Sequence, residues 1–217
     1  MATVVFDFDG VLIRRDSTVE LLRRRLAVRP ALGPLLLPSI TAFATAGARE
    51  EFRTRAARRI FSVAFAGMPR GEAARWVRAT GAALGRNPAL IVADAISAMH
   101  VHQEAGDTLL VASAGLEPLI EGFLCAAGVD GAVVLGSTLR DGPRGAALDR
   151  HNFGSAKVAL ANDAGHPPPW ARVYSDSLAD LPLLRHAEEP VLVNGSPRKV
   201  ARVRAALSHG PLSVSWT

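Results

Sequence analysis

The sequence of 217 residues has one cysteine, one tyrosine and few aromatic residues of any kind. A single cysteine, Cys125, excludes a disulfide framework and is typical of a reducing compartment, so we expect a cytoplasmic protein. No leader precedes the acidic strand pattern at the N-terminus, so we predict no signal peptide. Trp76, Trp170 and Trp216 are too scattered to form a base-stacking platform, and nucleic-acid binding is therefore not predicted.

Long hydrophobic runs are also scarce. A charge-free apolar stretch between Arg29 and Arg49 comes near the lower length limit for a membrane span. Its first half is interrupted by Pro30, Pro34 and Pro38. We therefore expect residues 31–47 to form a buried or interfacial helix, and contact with an anionic membrane surface stays open as a partner hypothesis.

Positive charge comes almost entirely from arginine and is unevenly distributed. The first 87 residues contain 15 Arg, no Lys and 7 acidic residues, which gives a net charge of +8. The rest of the chain contains 10 basic and 13 acidic residues, which gives −3. An arginine-rich half indicates an anionic partner such as a phosphate ester or a lipid surface, with solvated basic helices as the alternative.

The N-terminal run Val4-Val5-Phe6 predicts a buried parallel strand, and Asp7 and Asp9 follow it directly. Burying two carboxylates is unfavourable without a cation or hydrogen bonds. Ligands of open α/β sheets bind beyond the carboxyl ends of strands, so these aspartates are candidate catalytic residues. The alternative is that they only cap the turn that follows.

Four helices without an intervening strand are predicted next. A capping box of Ser17 and Glu20 predicts the start of the first helix. The other three are predicted over about residues 39–46, 49–66 and 68–84. An insertion of this size directly after the first strand would form a lid over Asp7 and Asp9.

Strands and helices alternate in the remainder of the chain. Asn87 and Pro88 predict the start of a helix that runs to Glu104. Strands are predicted at 108–112, 131–135, 172–175 and 190–193, with helices between them and a loop or weak hairpin at 140–150. This alternation predicts an α/β protein with a parallel sheet and helices on both faces.

Polar residues also stand at the ends of these later strands. Ser113 follows the second strand, Asp176 and Asp180 follow the strand at 172–175, and Lys157 lies near the start of a helix. Several carboxylates on one rim need a cation, and their oxygens suit Mg²⁺. A lysine and a hydroxyl suit a phosphoryl group, so the set indicates phosphoryl transfer through an aspartyl-phosphate.

The same residues resemble the four motifs of the haloacid dehalogenase superfamily. The matching positions are Asp7-Phe8-Asp9-Gly10-Val11, Ser113, Lys157 and Asp176-Ser177-Leu178-Ala179-Asp180. Residues 174–184 and 191–194 resemble the phosphoserine-phosphatase-like branch most closely. The resemblance covers nearly the whole chain and implies a Rossmann-like core, residues 1–14 and 88–217, with an all-helical cap of residues 15–87.

This resemblance implies a Mg²⁺-dependent phosphomonoester hydrolase. Asp7 would attack phosphorus, and Asp9 would protonate the leaving oxygen and then activate water. The Asp7 and Asp176 side chains and the Asp9 carbonyl would hold the metal, and Asp180 would support Lys157 or a metal-bound water. The phosphoryl oxygens would be bound by Ser113, Lys157 and the backbone amides of Gly10, Ala114 and Gly115.

Within the family, Asp9 argues against a dehalogenase, whose reaction has no leaving alkoxide to protonate. A lid without lysine argues against a phosphonate hydrolase that forms a Schiff base, and Asp176 with Asp180 argues against a sugar-phosphate mutase. We expect a small soluble phosphate ester resembling phosphoserine as substrate. Asp16 falls where phosphoserine phosphatases have an acidic residue for the substrate amine, or it helps to cap the first helix.

Two alternatives remain open from the sequence. The arginine-rich lid and the apolar residues 31–47 resemble relatives that act on lipid phosphates such as phosphatidylglycerol phosphate at a membrane surface. A catalytically idle binding or regulatory module is the second alternative, although it would be expected to lack a motif residue and all are present. The sequence predicts no oligomeric state.

Overall fold

The computed structural model describes residues 2–45, 49–207 and 210–217. Six strands of this part form one parallel sheet: β1 (Thr3–Phe6), β2 (Thr108–Leu116), β3 (Val133–Ser137), β6 (Trp170–Ser175), β7 (Ala187–Val193) and β8 (Leu212–Val214). Their spatial order is β3-β2-β1-β6-β7-β8. A separate antiparallel hairpin joins β4 (Leu139–Gly142) to β5 (Gly145–Leu148), as expected for residues 140–150.

Helices precede, connect and flank these strands. They are α1 (Ser17–Val28), α2 (Gly33–Thr45), α3 (Glu50–Ala64), α4 (Arg70–Gly85), α5 (Ala93–Glu104), α6 (Glu117–Ala126), α7 (Ala156–Asp163), α8 (Leu181–Leu184) and α9 (Pro197–Ala206). Short 3-10 turns precede α2 and α8, at Pro30–Leu32 and Leu178–Asp180. The predicted α/β class, a Rossmann-like parallel sheet with helices on its faces, is confirmed.

Strand β1 lies in the middle of the sheet, between β2 and β6. Val4 and Phe6 pack into the hydrophobic cluster on one face, whereas Val5 packs into the cluster on the other. A strand covered on both faces must be apolar at every position, which explains its uninterrupted hydrophobic sequence. Burial of each such side chain contributes roughly 1.5–3 kcal/mol, so the strand is a firm base for Asp7.

The chain leaves the sheet after β1 and returns beside the same point. The Arg14 N–H donates to the Leu90 carbonyl at 2.8 Å, and the Val92 N–H donates to the Leu12 carbonyl at 3.1 Å. Helices α1–α4 lie between these two crossings. The division into a core and a cap at residues 14 and 88 stays a prediction.

Helix α4 packs closely on helix α6 of the sheet layer. A Cβ atom on Gly81 would lie 1.9 Å from the Leu119 carbonyl oxygen, and one on Gly122 would lie 2.2 Å from the Arg78 carbonyl oxygen. Only glycine lets the two backbones come this close. Helix α4 is therefore fixed to the sheet layer although it belongs to the inserted helices.

Helix boundaries differ from the predictions at two prolines. Helix α2 begins at Gly33 and contains Pro38, so the predicted start after Pro38 was wrong. Helix α5 begins at Ala93 rather than at Asn87, whose side chain instead accepts the Ala89 N–H in a turn at 3.1 Å. The predicted end of the second helix, Ala46, lies outside the described residues.

The start of α1 also differs from the prediction. Asp16 is the N-cap and accepts the Val19 N–H at 2.9 Å, whereas Ser17 is the first helical residue. The last strand, β8, was not predicted from the sequence. Within residues 2–45, 49–207 and 210–217, no helix combines the length and apolar character that a bilayer crossing requires.

Candidate active site

A cavity of about 760 Å³ opens where β1, β2 and β6 end, beneath helices α1–α3. Nine of the residues predicted for the site line it: Asp7, Asp9, Gly10, Asp16, Ser113, Ala114, Lys157, Asp176 and Asp180. The structure therefore brings together segments that lie up to 173 positions apart in the chain.

Asp7 is fixed by the sheet. Its N–H donates to the Tyr174 carbonyl at 2.9 Å, which continues the pairing of β1 with β6 by one residue. Its buried carboxylate receives two donors on Oδ1, the Phe8 N–H at 2.8 Å and Lys157 Nζ at 2.9 Å. The carboxylate orientation is thus set by the backbone and by a cation together.

Lys157 bridges two buried carboxylates. Its Nζ lies 2.9 Å from Asp7 Oδ1 and 2.7 Å from Asp180 Oδ1, and all three side chains are almost completely buried. The Ser175 hydroxyl donates to Asp180 Oδ2 at 2.7 Å. Burial alone would lower the pKa of Lys157, but Asp180 and Asp7 outweigh it and raise that pKa above its ordinary value. The lysine is therefore held as a cation.

The two aspartates that follow β1 have raised pKa values. Burial, followed by repulsion from Asp180, raises the pKa of Asp7, and Lys157 opposes this shift. Burial and repulsion from Asp16 raise the pKa of Asp9 to about 7. Asp9 Oδ1 also accepts the Ser17 N–H at 2.6 Å, so the first residue of α1 holds the carboxylate in place.

Asp176 lies against the backbone of Gly10. Gly10 has a φ of +77°, and a Cβ atom there would be 2.6 Å from Asp176 Cγ. Burial raises the pKa of Asp176, and the neighbouring Lys199 opposes this shift. Lys199 Nζ donates to the Asp176 carbonyl and lies 3.6 Å from Oδ2. Sequence analysis missed this lysine as part of the site, and its only signal was the rarity of lysine in the chain.

The Gly10 amide requires a correction. It was predicted to bind phosphate, but its N–H donates to the Ile13 carbonyl at 2.8 Å within the turn after β1. A donor engaged in the turn is not free for a ligand in this arrangement. What the site requires of Gly10 is its missing side chain, because that lets Asp176 approach.

Ser113 and Ala114 lie on an irregular segment of β2. The strand was predicted to end at Ala112 but continues to Leu116, with a shift of register between the two. The Gly115 N–H, predicted to bind phosphate, donates instead to Oγ of buried Ser113 at 2.9 Å. The Ala114 carbonyl accepts the Ser137 hydroxyl at 2.8 Å, which ties the irregular segment to β3.

The opposite wall contains residues that sequence analysis did not assign to the site. The Arg53 guanidinium lies 4.2 Å from the centre of the Phe43 ring and 4.7 Å from that of Phe153, within cation–π range. His151 Nδ1 lies 2.8 Å from Thr54 Oγ1. Burial, with the positive charge of Arg53 and Arg58, lowers the pKa of His151 to about 4.

Side chains alone do not form a closed metal cage here. Among the described residues, no group of three histidine, cysteine or acidic side chains is spaced to hold a metal ion. Mg²⁺ is often bound through only one or two carboxylates and several waters. Asp7 and Asp176 line the same cavity, and their two carboxylates suit this open kind of site.

Comparisons with known proteins agree with the fold. A HAD family hydrolase from Salmonella enterica subsp. enterica serovar Typhi matches with a TM-score of 0.64 and 16% identity, over 98% of this chain and 66% of that one. A protein of unknown function from Bordetella pertussis Tohama I gives 0.67 and 20%, over 99% and 98%. A phosphoserine phosphohydrolase-like protein from Francisella tularensis subsp. tularensis SCHU S4 gives 0.63 and 16%, over 99% and 95%.

A comparison with curated proteins found no match. The family model of the haloacid dehalogenase-like hydrolases matches residues 4–185, a span that includes all of β1 except Thr3 and every predicted site residue. The family resemblance noted in the sequence is thereby confirmed. The chain belongs to the haloacid dehalogenase-like hydrolase family.

Proposed function

We propose that this protein is a Mg²⁺-dependent phosphomonoester hydrolase that works through a phosphorylated Asp7. The observation that supports this most is the buried arrangement of Asp7, Lys157 and Asp180 beside Asp9 and Asp176. A carboxylate held next to a fixed cation suits nucleophilic attack on an anionic phosphoryl group. Membership of a hydrolase family agrees with this chemistry.

In the first step, a carboxylate oxygen of Asp7 forms a bond to phosphorus and the bond from phosphorus to the alcohol oxygen breaks. The leaving oxygen takes a proton from Asp9. In the second step, a water oxygen attacks phosphorus, Asp9 accepts the proton and the bond to Asp7 breaks, releasing inorganic phosphate. A pKa near 7 suits Asp9 for both transfers at neutral pH.

Lys157 and Ser113 complete this assignment. The Lys157 cation would neutralise the phosphoryl oxygens as charge develops on them, while Asp180, which accepts the Ser175 hydroxyl, holds the lysine side chain in place. Buried Ser113 would offer its hydroxyl to another phosphoryl oxygen. Asp180 is thus a positioning residue in this proposal, and Lys199 has the same relation to Asp176.

The residues fit a hard divalent cation. The Asp7 and Asp176 carboxylates, together with the Asp9 carbonyl, would supply oxygen ligands, and Gly10 leaves the space that Asp176 needs. Mg²⁺ bound there would offset the negative charge of the substrate and of the carboxylates around it.

The small, phosphoserine-like substrate stays a hypothesis that depends on Asp16. This carboxylate lines the cavity and caps α1 through Oδ1, and its other oxygen would be the one that accepts from a substrate amine. The fold shared with a phosphoserine phosphohydrolase-like protein supports trying phosphoserine first. Lipid phosphates form the second substrate hypothesis, because apolar side chains cover much of the cavity wall.

The mechanism can be tested with p-nitrophenyl phosphate and Mg²⁺. We expect phosphate release by the wild type, no release by Asp7→Asn, and unchanged release by Asp163→Asn, which makes the same exchange at an exposed position of α7. Because an aryl oxygen leaves readily without a proton, Asp9→Asn should still form the phosphoenzyme in a single burst but hydrolyse it slowly.

Two results would contradict the proposal. Turnover that survives Asp7→Asn would exclude Asp7 as the nucleophile. A wild-type protein that is folded, binds phosphate esters and hydrolyses none of a broad panel with Mg²⁺ would favour the binding or regulatory module instead.

A further inference from the structure

The part of the cavity farther from the aspartates is hydrophobic. Helices α1, α2 and α3 each contribute apolar side chains to this wall: Leu22, Leu26, Ile40, Phe43, Ile60 and Phe61. Leu22 and Ile60 belong to a buried cluster with Leu36 and Ala64, and all four residues come from these same helices. The wall is therefore a packed surface and not a loose collection of side chains.

Charge is concentrated at the mouth of the cavity. The side chains of Arg15 and Arg23 are 59% and 72% exposed, and both lie near Glu20, at 3.0 and 3.7 Å. Arg14 is exposed as well, and its Nε donates to the Ile91 carbonyl at 3.2 Å. The mouth would attract an anion. Arg53 of α3, which contacts Phe43, also lines the cavity, but the six apolar side chains of the wall offer nothing to replace the hydration of a polar group.

The cavity volume also bears on the substrate. About 760 Å³ falls in the upper part of the range of roughly 300–1,000 Å³ that is typical of sites for drug-sized ligands. A phosphoryl group with a three-carbon alcohol would leave most of the apolar wall uncovered. A larger hydrophobic alcohol would cover it and gain free energy in proportion to the apolar area removed from water.

We infer that the substrate is a monophosphate ester of a hydrophobic alcohol, whose chain or ring packs between α1, α2 and α3 while the phosphate meets Asp7. This inference depends on the proposed phosphatase function and names its substrate class. Such an amphiphile is available from two sources, free in solution or embedded in a bilayer.

Helix α2 has two apolar faces, one toward the cavity and one toward solvent, so it could contact the substrate and also a bilayer that contains it. Ile40 and Phe43 line the cavity, whereas Leu35 and Leu37 point to solvent and are 60% and 64% exposed. The first 87 residues, which include the inserted helices, carry a net charge of +8. Exposed leucines on a part of the chain with net positive charge suit the interface of an anionic bilayer.

The test is a series of linear alkyl phosphates from ethyl to octyl, kept below their aggregation limits, with phosphoserine as the polar comparison. We expect kcat/KM to rise by up to about fourfold per methylene until the wall is covered. Octyl phosphate should then exceed both ethyl phosphate and phosphoserine by at least tenfold.

Matched variants on α2 locate the effect. Ile40→Asn places an amide in the wall, and we expect it to flatten the rise with chain length, so that octyl phosphate loses more of its kcat/KM than ethyl phosphate does. Leu37→Asn makes the equivalent change on the solvent side of the same helix and should leave the whole soluble series unchanged. Thermal melts of both variants confirm that the comparison is made between folded proteins.

The possible outcomes distinguish failure of the phosphatase proposal from failure of the hydrophobic substrate class. If no ester is hydrolysed, the phosphatase proposal itself fails. If ethyl phosphate and phosphoserine are hydrolysed as well as octyl phosphate, the phosphatase proposal stands and the hydrophobic substrate class is refuted. A rise with chain length that Ile40→Asn does not change refutes the placement between α1, α2 and α3.

A second experiment, with substrate embedded in vesicles, distinguishes the two sources of the amphiphile. Hexadecyl phosphate in phosphatidylcholine vesicles containing phosphatidylglycerol is compared with free octyl phosphate. Turnover in vesicles that falls on Leu37→Asn assigns the substrate to a bilayer. Efficient turnover of octyl phosphate alone assigns it to a free amphiphile.

Discussion

Gly10→Ala should reduce catalysis far more than it reduces stability. A Cβ atom at this position would lie 2.6 Å from Asp176 Cγ, whereas ordinary contacts begin near 3.4 Å. The Asp176 carboxylate would therefore have to retreat by about 0.8 Å, which a side chain can do without unfolding the protein. A misplacement of about 1 Å in a reacting or metal-binding group can lower a rate by roughly 10²-fold.

Backbone strain must be separated from this displacement, and Gly106 provides the control. Gly106 has the same φ of +77°, but a Cβ atom added there would have no neighbouring atom within 4 Å. Both alanine variants should lose about 1–2 kcal/mol of unfolding free energy, since an L-residue in the left-handed region costs that much. Only Gly10→Ala should also disturb Asp176.

The assay is kcat/KM for p-nitrophenyl phosphate over a range of Mg²⁺ concentrations, with urea unfolding measured in parallel. We expect a loss of about 10²-fold for Gly10→Ala, accompanied by a higher Mg²⁺ requirement, and a loss of less than twofold for Gly106→Ala. Equal activities in the two variants would refute the reasoning that contact with Asp176 decides the residue at position 10.

Three further predictions concern the ion pairs, the helix contact and the buried histidine. Lys157→Met should abolish turnover and cost about 3–5 kcal/mol of unfolding free energy, because Asp7 and Asp180 lose their cation. Adding Asp180→Asn to this variant should restore part of the stability and none of the activity. A loss below about 1 kcal/mol for Lys157→Met in urea unfolding would contradict this prediction. Gly81→Ala should destabilise the protein by about 2 kcal/mol or more, because the new methyl group meets the Leu119 carbonyl oxygen. Gly71→Ala in the same helix meets only the Arg75 side chain at 3.7 Å, so its stability should be unchanged or increase by up to about 1 kcal/mol. Similar melting temperatures for the two variants would contradict the close α4–α6 contact. The folded pKa of His151, about 4, lies below its ordinary value of 6.5, so the unfolded chain binds the extra proton and stability falls as pH decreases through that window. His151→Gln should remove up to about 3 kcal/mol of this dependence, measured by urea unfolding from pH 4 to 7. An unchanged pH dependence would show that His151 binds its proton equally well in the folded and unfolded states.

The positions of several site residues could be predicted from the sequence because these residues directly follow strands of a parallel sheet. Val4, Val5 and Phe6 identify a strand buried on both faces, and parallel strands bring their carboxyl ends to one edge. Asp7 and Asp176 therefore had to be neighbours once β1 and β6 were recognised. What the sequence could not supply was the turn geometry that engages the Gly10 amide.

The hydrophobic wall could not be predicted from the sequence, because the spacing of residues in the inserted helices does not show which side chains face the cavity. Helix α3 contains arginines on several sides, and nothing in their spacing tells that Arg53 turns inward while Arg55 stays exposed. The start of α2 was misplaced because a proline usually ends a helix, whereas Pro38 lies at an exposed position inside α2. Strand β8 has three residues, too few for a period-two pattern to be recognised.

The glycine contact between α4 and α6 limits how substrate can reach the aspartates. Because Gly81 and Gly122 place backbone against backbone, α4 has no room to slide or tilt relative to the sheet layer. The N–H of Gly67 adds a hydrogen bond of 2.7 Å to the Arg144 carbonyl, which anchors the segment just before α4. A movement that admits a bulky ester would therefore displace α1 and α2 rather than α4, and α3 would follow only if the hydrogen bonds between Ser155 and Glu50 and between Thr54 and His151 open.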